Sequence, residues 1–163
     1  MKDSIIQSEL SWDEYFMNIA YFVSKKSKDP STKVGAVIVG PDKEIRSTGY
    51  NSMPRGVKDS FIRYTKKELK YLIISHAEES AIMNCVRVGV STKNCVLYVP
   101  WHPCCSCAKL IIQSGIKEIV IDGLFPRNTD PGPWKQSMDI AKEILGEAAV
   151  AIRSFDNKIF KIP

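Results

Sequence analysis

Residues 95–122 read CVLYVPWHPCCSCAKLIIQSGIKEIVID and decide the fold class. The apolar segments at the two ends, 95–99 and 117–122, are predicted strands. Between them, residues 105–114 form a predicted helix that ends at Gly115, a residue type that commonly terminates helices. A strand, a helix and a further strand in this order are typical of a parallel α/β unit.

The same alternation continues on both sides of this segment. Ser11 and Glu14 form a predicted capping box at the start of a first helix, which Asp29 and Pro30 end. Further predicted elements are a hairpin (34–40 and 44–50), a short helix within 61–75, helices over 77–88 and 134–145, and a last strand over 149–155. The order predicts an α/β sheet, parallel over most of its width, with helices on both faces and a site at the carboxyl ends of its strands.

Length and composition exclude several classes of protein. The chain of 163 residues is a predicted single domain over 1–163, and its 44% apolar and 25% charged residues exclude disordered, collagen-like and coiled-coil proteins. The longest apolar runs are too short for a membrane span or a signal peptide. Three of the five cysteines lie within four positions, which favours a metal or redox site in a reducing compartment, the cytoplasm.

The positive charge is concentrated in one segment. Residues 25–70 contain twelve Lys or Arg and five Asp or Glu, while the whole chain has a net charge of +5. Such a segment suits an anionic ligand, most simply a phosphate, although most of these side chains could equally form a solvated surface. Aromatic residues are not interleaved with the basic ones, so the pattern argues against an extended nucleic-acid groove.

Two short motifs carry the chemistry. His76-Ala77-Glu78 and Pro103-Cys104-Cys105-Ser106-Cys107 together form the H-x-E and P-C-x-x-C signature of zinc deaminases. Zinc in catalytic sites takes three nitrogen or sulfur ligands and keeps one position open, which predicts His76, Cys104 and Cys107 as the ligands. Glu78 is the predicted proton carrier beside the metal.

The remaining candidate ligands have structural interpretations. Cys105 points away from the face that the two ligand cysteines share, so it is a predicted packed thiol. His102 is expected to line the pocket or pack rather than bind the metal. Glu79 is a predicted solvated carboxylate at a helix start, and Cys85 and Cys95 are predicted core residues.

Four segments carry a family resemblance: DPSTKVGAVIVG (29–40), GYNSMPRG (49–56), HAEESAIMN (76–84) and YVPWHPCCSCAKLIIQSGIKEIV (98–120). Over about 14–155 the chain resembles the cytidine deaminase-like superfamily and, within it, the deoxycytidylate deaminase family. The resemblance implies a three-layer α/β/α sandwich around a mixed five-stranded sheet.

The resemblance also implies a reaction and its cofactor. The 4-amino group of dCMP would be removed by hydrolysis, giving ammonia and dUMP for thymidylate synthesis, with Zn²⁺ as cofactor and Glu78 moving the protons. The alternative is a deaminase of another free cytosine compound, such as a modified cytidine nucleotide, CMP or a nucleoside. A third alternative is a module that edits nucleic acid.

Binding residues follow from the same resemblance. Asn51 matches the family residue that hydrogen-bonds the nucleotide, and the Ala77 backbone N–H would hold the base carbonyl. Candidates for the 5′-phosphate, chosen from charge and loop position, are Lys33, Arg55 and Arg127.

The chain departs from the family pattern at three places. Ser80 and Ser52 stand where the family usually has Asn and Gly, and residues 52–75 lack the Cys and His ligands of a second zinc that some relatives carry. These departures weaken the expectation of control by dCTP and dTTP. The expected partners are a small nucleotide and other copies of the chain, as in a hexamer, with no membrane and no stable nucleic-acid partner.

Overall fold

A computed structural model describes residues 8–123 and 132–156. The helices are α1 (Trp12–Ser24), α2 (Phe61–Thr65), α3 (Lys67–Ile73), α4 (Ala77–Val88), α5 (Cys105–Gln113) and α6 (Lys135–Glu147), with a 3₁₀ turn at Gly132–Trp134. The strands are β1 (Gly35–Val39), β2 (Ile45–Tyr50), β3 (Val96–Tyr98), β4 (Glu118–Asp122) and β5 (Ala151–Phe155).

The five strands form one mixed sheet in the order β2-β1-β3-β4-β5. Strand β1 pairs antiparallel with both β2 and β3, whereas the pairs β3–β4 and β4–β5 are parallel. The prediction of a sheet parallel over most of its width is therefore wrong for half of the described pairings. The physical reason is that the hairpin places β2 at the edge, so that the connection through α4 must pass over β1 before β3 can pair.

Side chains alternate between two cores, one on each face of the sheet. Val37, Val39 and Tyr98 face α1, where they pack against Phe16 and Met17. The opposite face packs against α4, α5 and α6 through the other core, whose fully buried members include Ala36, Ile38, Leu97, Ala108, Ile111, Ile119 and Leu145. Helices therefore cover both faces, which confirms the α/β/α sandwich.

The first helix begins as predicted but ends earlier. The Ser11 hydroxyl accepts from the Glu14 N–H at 3.2 Å, and the Glu14 carboxylate accepts from the Ser11 N–H at 2.9 Å. The helix ends at Ser24, five residues before Asp29, where it was expected to stop. After Ser24, backbone hydrogen bonds donated by Lys26 and Ser27 form a turn. Asp29 then lies in the interior, with only 1% of its surface exposed.

Helix α4 lies directly on strand β2 because Gly49 has no side chain. A Cβ atom at position 49 would collide with the backbone of Ala77 and Ala81. This close approach brings the first turn of α4 beside the carboxyl end of β2. The ambiguous segment 61–75 folds as two short helices, α2 and α3, and ends where Ser75 pairs with Ser52. Within 8–123 and 132–156, no helix is long and apolar enough to cross a membrane.

Candidate metal centre and its cavity

Two helix starts bring three metal-binding side chains together. His76 is the N-cap of α4, Cys104 is the N-cap of α5, and Cys107 lies in the first turn of α5. The Nδ1 atom of His76 lies 3.4 Å from Sγ of Cys104 and 3.5 Å from Sγ of Cys107. These three donor atoms all lie within 4.8 Å of one another.

The cluster fits a zinc ion. With Zn–S near 2.3 Å and Zn–N near 2.0–2.1 Å, tetrahedral coordination separates the nitrogen and sulfur ligands by about 3.6 Å. The two measured N–S distances of 3.4 and 3.5 Å agree with this value. One nitrogen and two sulfur atoms are also the donor set that zinc prefers, and they leave one tetrahedral position open.

Protons are shared unequally among the three side chains. The Cys107 thiol donates to Cys104, which lowers the pKa of the Cys104 thiol to about 4 against the opposing effect of burial. The same contact raises the pKa of the Cys107 thiol. The hydrogen bond to Cys104 raises the pKa of His76 to about 9. Since metal ligands must be deprotonated, zinc binding at this cluster releases protons.

Glu78 is buried beside the cluster. Only 5% of its surface is exposed, although it lies in the first turn of α4. Burial raises the pKa of its carboxyl, while the charge of His76 opposes the rise. A buried carboxyl with a raised pKa holds a proton more readily than an exposed one, which suits a general acid and base.

A cavity of about 160 Å³ opens from this cluster. Its lining includes residues just beyond the ends of β2 and β3 and just before the start of β1, so the expected location at carboxyl ends of strands holds for β2 and β3. Its lining comprises Asp29, Ser31, Thr32, Val34, Asn51, Lys70, Tyr71, Ile74, His76, Ala77, Glu78, Trp101, His102, Cys104, Trp134 and Met138.

A buried ion pair lies in the cavity wall away from the metal cluster. Lys70 Nζ lies 2.7 Å from Oδ2 of Asp29, and the two side chains are 9% and 2% exposed. Asp29 also accepts the backbone N–H of Ser31 at 2.8 Å and that of Thr32 at 3.3 Å. These bonds shape the segment that enters β1 and attach α3 to it.

Asn51 joins the same network from the end of β2. Its Nδ2 donates to the Thr32 carbonyl at 2.9 Å and to Asp29 Oδ2 at 3.2 Å. Its Oδ1 accepts the Val34 N–H at 2.8 Å. Both amide hydrogens are engaged, whereas Oδ1 accepts one hydrogen bond from the described residues and so keeps one lone pair for a ligand.

The predicted substrate residues lie at different places. Asn51 and Ala77 line the cavity, and the Ala77 N–H belongs to the first turn of α4, where amides have no intrahelical acceptor. Lys33 is exposed and is not in the lining, although its neighbours Thr32 and Val34 are. Arg55 lies in a separate groove, where its guanidinium donates to Asn84 at 2.7 Å.

Arg127, the third phosphate candidate, lies outside the described residues. Its role at a phosphate stays a prediction, as do those of Lys33 and Arg55.

Several structural interpretations are confirmed. Cys85 and Cys95 are fully buried, and Cys105 lies outside the metal cluster. His102 lines the cavity but is not part of the cluster; its Nδ1 contacts the Pro103 carbonyl at 3.1 Å. Glu79 does more than predicted, because its carboxylate accepts the His76 backbone N–H at 3.3 Å and so holds a predicted ligand.

Asp29, Lys70 and Trp134 are among the cavity residues that sequence reasoning missed. Lys70 belongs to the basic segment, and nothing in its local pattern distinguishes it from exposed lysines such as Lys67. Asp29 is a predicted helix stop and part of the resemblance segment 29–40, neither of which assigns it to the site. Trp134 lies at the start of α6, where its ring centroid is 5.5 Å from that of His76.

Comparison with known proteins identifies the family. Residues 10–122 match the model of the cytidine and deoxycytidylate deaminase zinc-binding region. The chain belongs to this deaminase family. Its relatives include the deoxycytidylate deaminases of Mus musculus and Homo sapiens, 39% and 38% identical over 158 residues, which cover 94% of this chain and 84% of each relative.

The fold of this family is also found in a solved relative. The dCMP deaminase of cyanophage S-TIM5, crystallised with dCMP and dUMP, superposes with a TM-score of 0.70 at 22% identity. The match covers 91% of this chain and 100% of the phage protein. It confirms the cytidine deaminase-like fold of the deaminase described here.

Proposed function

We propose that the chain is a zinc-dependent hydrolase that converts dCMP to dUMP and ammonia. The observation that carries the proposal is the cluster of His76, Cys104 and Cys107 with the buried Glu78 beside it, at the base of a cavity. The substrate is supported by the identity of 39% to the mouse deoxycytidylate deaminase across most of both chains.

His76, Cys104 and Cys107 hold the ion in this proposal. When bound, zinc lowers the pKa of a coordinated water to about 7 and supplies a nucleophile at neutral pH. The N-terminus of α5, where Cys104 and Cys107 both lie, stabilises the thiolates that zinc binding requires. The Glu79 carboxylate fixes the backbone of His76, which orients the imidazole.

Glu78 moves the protons of the reaction. It takes a proton from the attacking water and donates it to ring N3 as the C4–O bond forms. It then takes the remaining water proton from the new hydroxyl at C4 and delivers it to the amine as the C4–N bond breaks. The sum is the addition of water at C4 and the loss of ammonia, so the carboxylate returns to its initial state. Its burial favours this cycle because it raises the pKa of the carboxyl and so favours the protonated form.

The remaining cavity residues orient the base and the sugar. The Ala77 N–H donates to the base carbonyl, which suits a helix-start amide without an intrahelical acceptor. Asn51 accepts a hydrogen bond through the free lone pair of Oδ1, and the ion pair of Asp29 with Lys70 keeps Asn51 in place.

A panel of four cytosine compounds tests this proposal. Ammonia release is measured with dCMP, CMP, deoxycytidine and an oligonucleotide that contains cytidine. We expect dCMP to have the highest kcat/KM, about 100-fold above deoxycytidine, because a bound phosphate contributes a charged contact. Equal values for dCMP and deoxycytidine would contradict phosphate recognition, and a higher value for the oligonucleotide would favour an editing function.

The expected homo-oligomer, cytoplasmic location and single-domain organisation stay predictions. Regulation by dCTP or dTTP also stays a prediction, which the three departures from the family pattern weaken.

A further inference from the structure

We propose that Trp134 is a wall of the cavity against which the pyrimidine base packs, and that Trp134 sets the affinity for that base. This inference rests on the proposed function. It concerns a residue outside the two zinc motifs and outside residues 10–122, which match the family model. Neither zinc motif therefore assigns a role to Trp134.

The position of Trp134 supports the inference. It ends the 3₁₀ turn at the start of α6, lines the cavity and is half-buried. Its ring centroid lies 5.5 Å from that of His76, with the ring planes at 69°. An indole in this position forms an apolar surface beside a predicted zinc ligand.

The reaction requires the base to reach this surface. In the proposed reaction, base carbon C4 would lie beside the cluster of His76, Cys104 and Cys107, whose ion would supply the attacking oxygen. The six-membered ring would then occupy the part of the cavity that His76 and Trp134 line together. Planar bases gain affinity by packing on aromatic side chains in this way.

Tyr71 also contacts the indole and holds its position. Its ring lies 5.3 Å from that of Trp134 at 81°, an edge-to-face contact between α3 and the start of α6. Anchoring of α6 in the core relies on Ala141 and Leu145, which are fully buried. A change at Trp134 is therefore expected to alter the cavity more than the packing of the helix.

Substitution of Trp134 tests the wall. We expect Trp134→Ala to raise KM for dCMP about ten- to hundredfold while zinc stays stoichiometric, and Trp134→Phe to restore KM to within about threefold because a flat ring remains. Trp12→Phe is the matched control, since Trp12 is 55% exposed on α1 and lies on the other face of the sheet. An unchanged KM in Trp134→Ala would overturn the proposal.

The fluorescence emission of Trp134 is a second measurement, which dUMP would leave unchanged if Trp134 had only a structural role. The chain has three tryptophans, so the double variant Trp12→Phe/Trp101→Phe keeps Trp134 alone. Because Trp101 also lines the cavity, the inhibition constant of dUMP is measured on this variant itself. We expect dUMP to change the emission of this variant with a half-saturation equal to its inhibition constant for dCMP turnover. If the emission does not change at dUMP concentrations that inhibit turnover, the proposal that Trp134 contacts the base is overturned.

The two readouts separate this inference from the proposed function. If the wild type does not release ammonia from dCMP but dUMP still changes Trp134 emission, the reaction assignment fails and the wall stands. If dCMP is deaminated but dUMP does not change the Trp134 emission and Trp134→Ala leaves KM unchanged, only the proposal about Trp134 fails.

Discussion

The two ends of the cavity are built in different ways. At the metal end, His76, Cys104 and Cys107 come from two helix starts, and each helix start is encoded by one short motif. At the other end, Asp29 and Lys70 come from segments 41 residues apart and meet as a buried ion pair. The first end depends on local structure, whereas the second depends on the packing of the whole chain.

This difference has a functional consequence. The metal end supplies the chemistry, so its side chains are expected to control turnover. The other end shapes the segment before β1 and holds Asn51, so its side chains are expected to control substrate affinity and stability. Variants at the two ends therefore separate effects on kcat from effects on KM.

The largest effect is expected at the metal ligands. Cys104→Ala removes a thiolate and is expected to abolish both zinc binding and turnover, because two donors cannot hold the ion in a catalytic site. Metal content by mass spectrometry and ammonia release check this result. Cys105→Ala is the matched control, since the neighbouring thiol lies outside the cluster and its loss should leave zinc stoichiometric. Stoichiometric zinc in Cys104→Ala would refute the ligand assignment.

The next largest effect is expected at the proton carrier. Glu78→Gln keeps the shape of the side chain but cannot accept a proton, so kcat should fall by about 10³-fold or more with zinc retained. Single-turnover ammonia release provides the measurement. Glu79→Gln, one residue further along α4, keeps an oxygen for the His76 N–H and should lower kcat by less than about tenfold. Comparable losses of kcat in both variants would contradict the assignment of proton transfer to Glu78 rather than Glu79.

A smaller effect, on a different quantity, is expected at the far end. Lys70→Met leaves the Asp29 carboxylate buried without its cation, which should lower the free energy of unfolding by about 3–5 kcal/mol. KM should rise as well, because Asn51 loses its support. Urea unfolding and steady-state kinetics measure the two changes. Lys67→Met on the exposed side of α3 should change stability by less than about 0.5 kcal/mol; equal effects of both substitutions would contradict the account of the ion pair.

The smallest effect is expected outside the cavity, where Asp13 of α1 accepts hydrogen bonds from Arg153 and Tyr98, both at 3.0 Å. The contact with Arg153 lowers the pKa of Asp13 in the folded state. Its stabilisation is therefore present above the unfolded pKa near 3.9 and is lost as the pH falls through the lower folded value.

Asp13→Asn tests this pH dependence. The variant should be less stable than the wild type by about 1 kcal/mol at pH 7 and equally stable near pH 2, with KM unchanged at pH 7. Urea unfolding at several pH values checks the sign. A stability difference that grows as the pH falls would contradict it.

Local patterns predict some of these features and cannot predict others. The helix over 77–88, the capping box at Ser11 and the three cluster residues depend on neighbours in the sequence, and the structure places them as expected. The antiparallel position of β1 and the burial of Lys70 depend on segments that are distant in the chain. Only the packing of α3 on the segment before β1 distinguishes Lys70 from the exposed lysines around it.

The most direct test is restoration of metal to chelated protein. Ammonia release from dCMP is measured after removal of metal and again during titration with Zn²⁺. The account predicts no turnover without metal and full recovery at one zinc per chain. A metal-free preparation that releases ammonia at the undiminished rate would contradict the account.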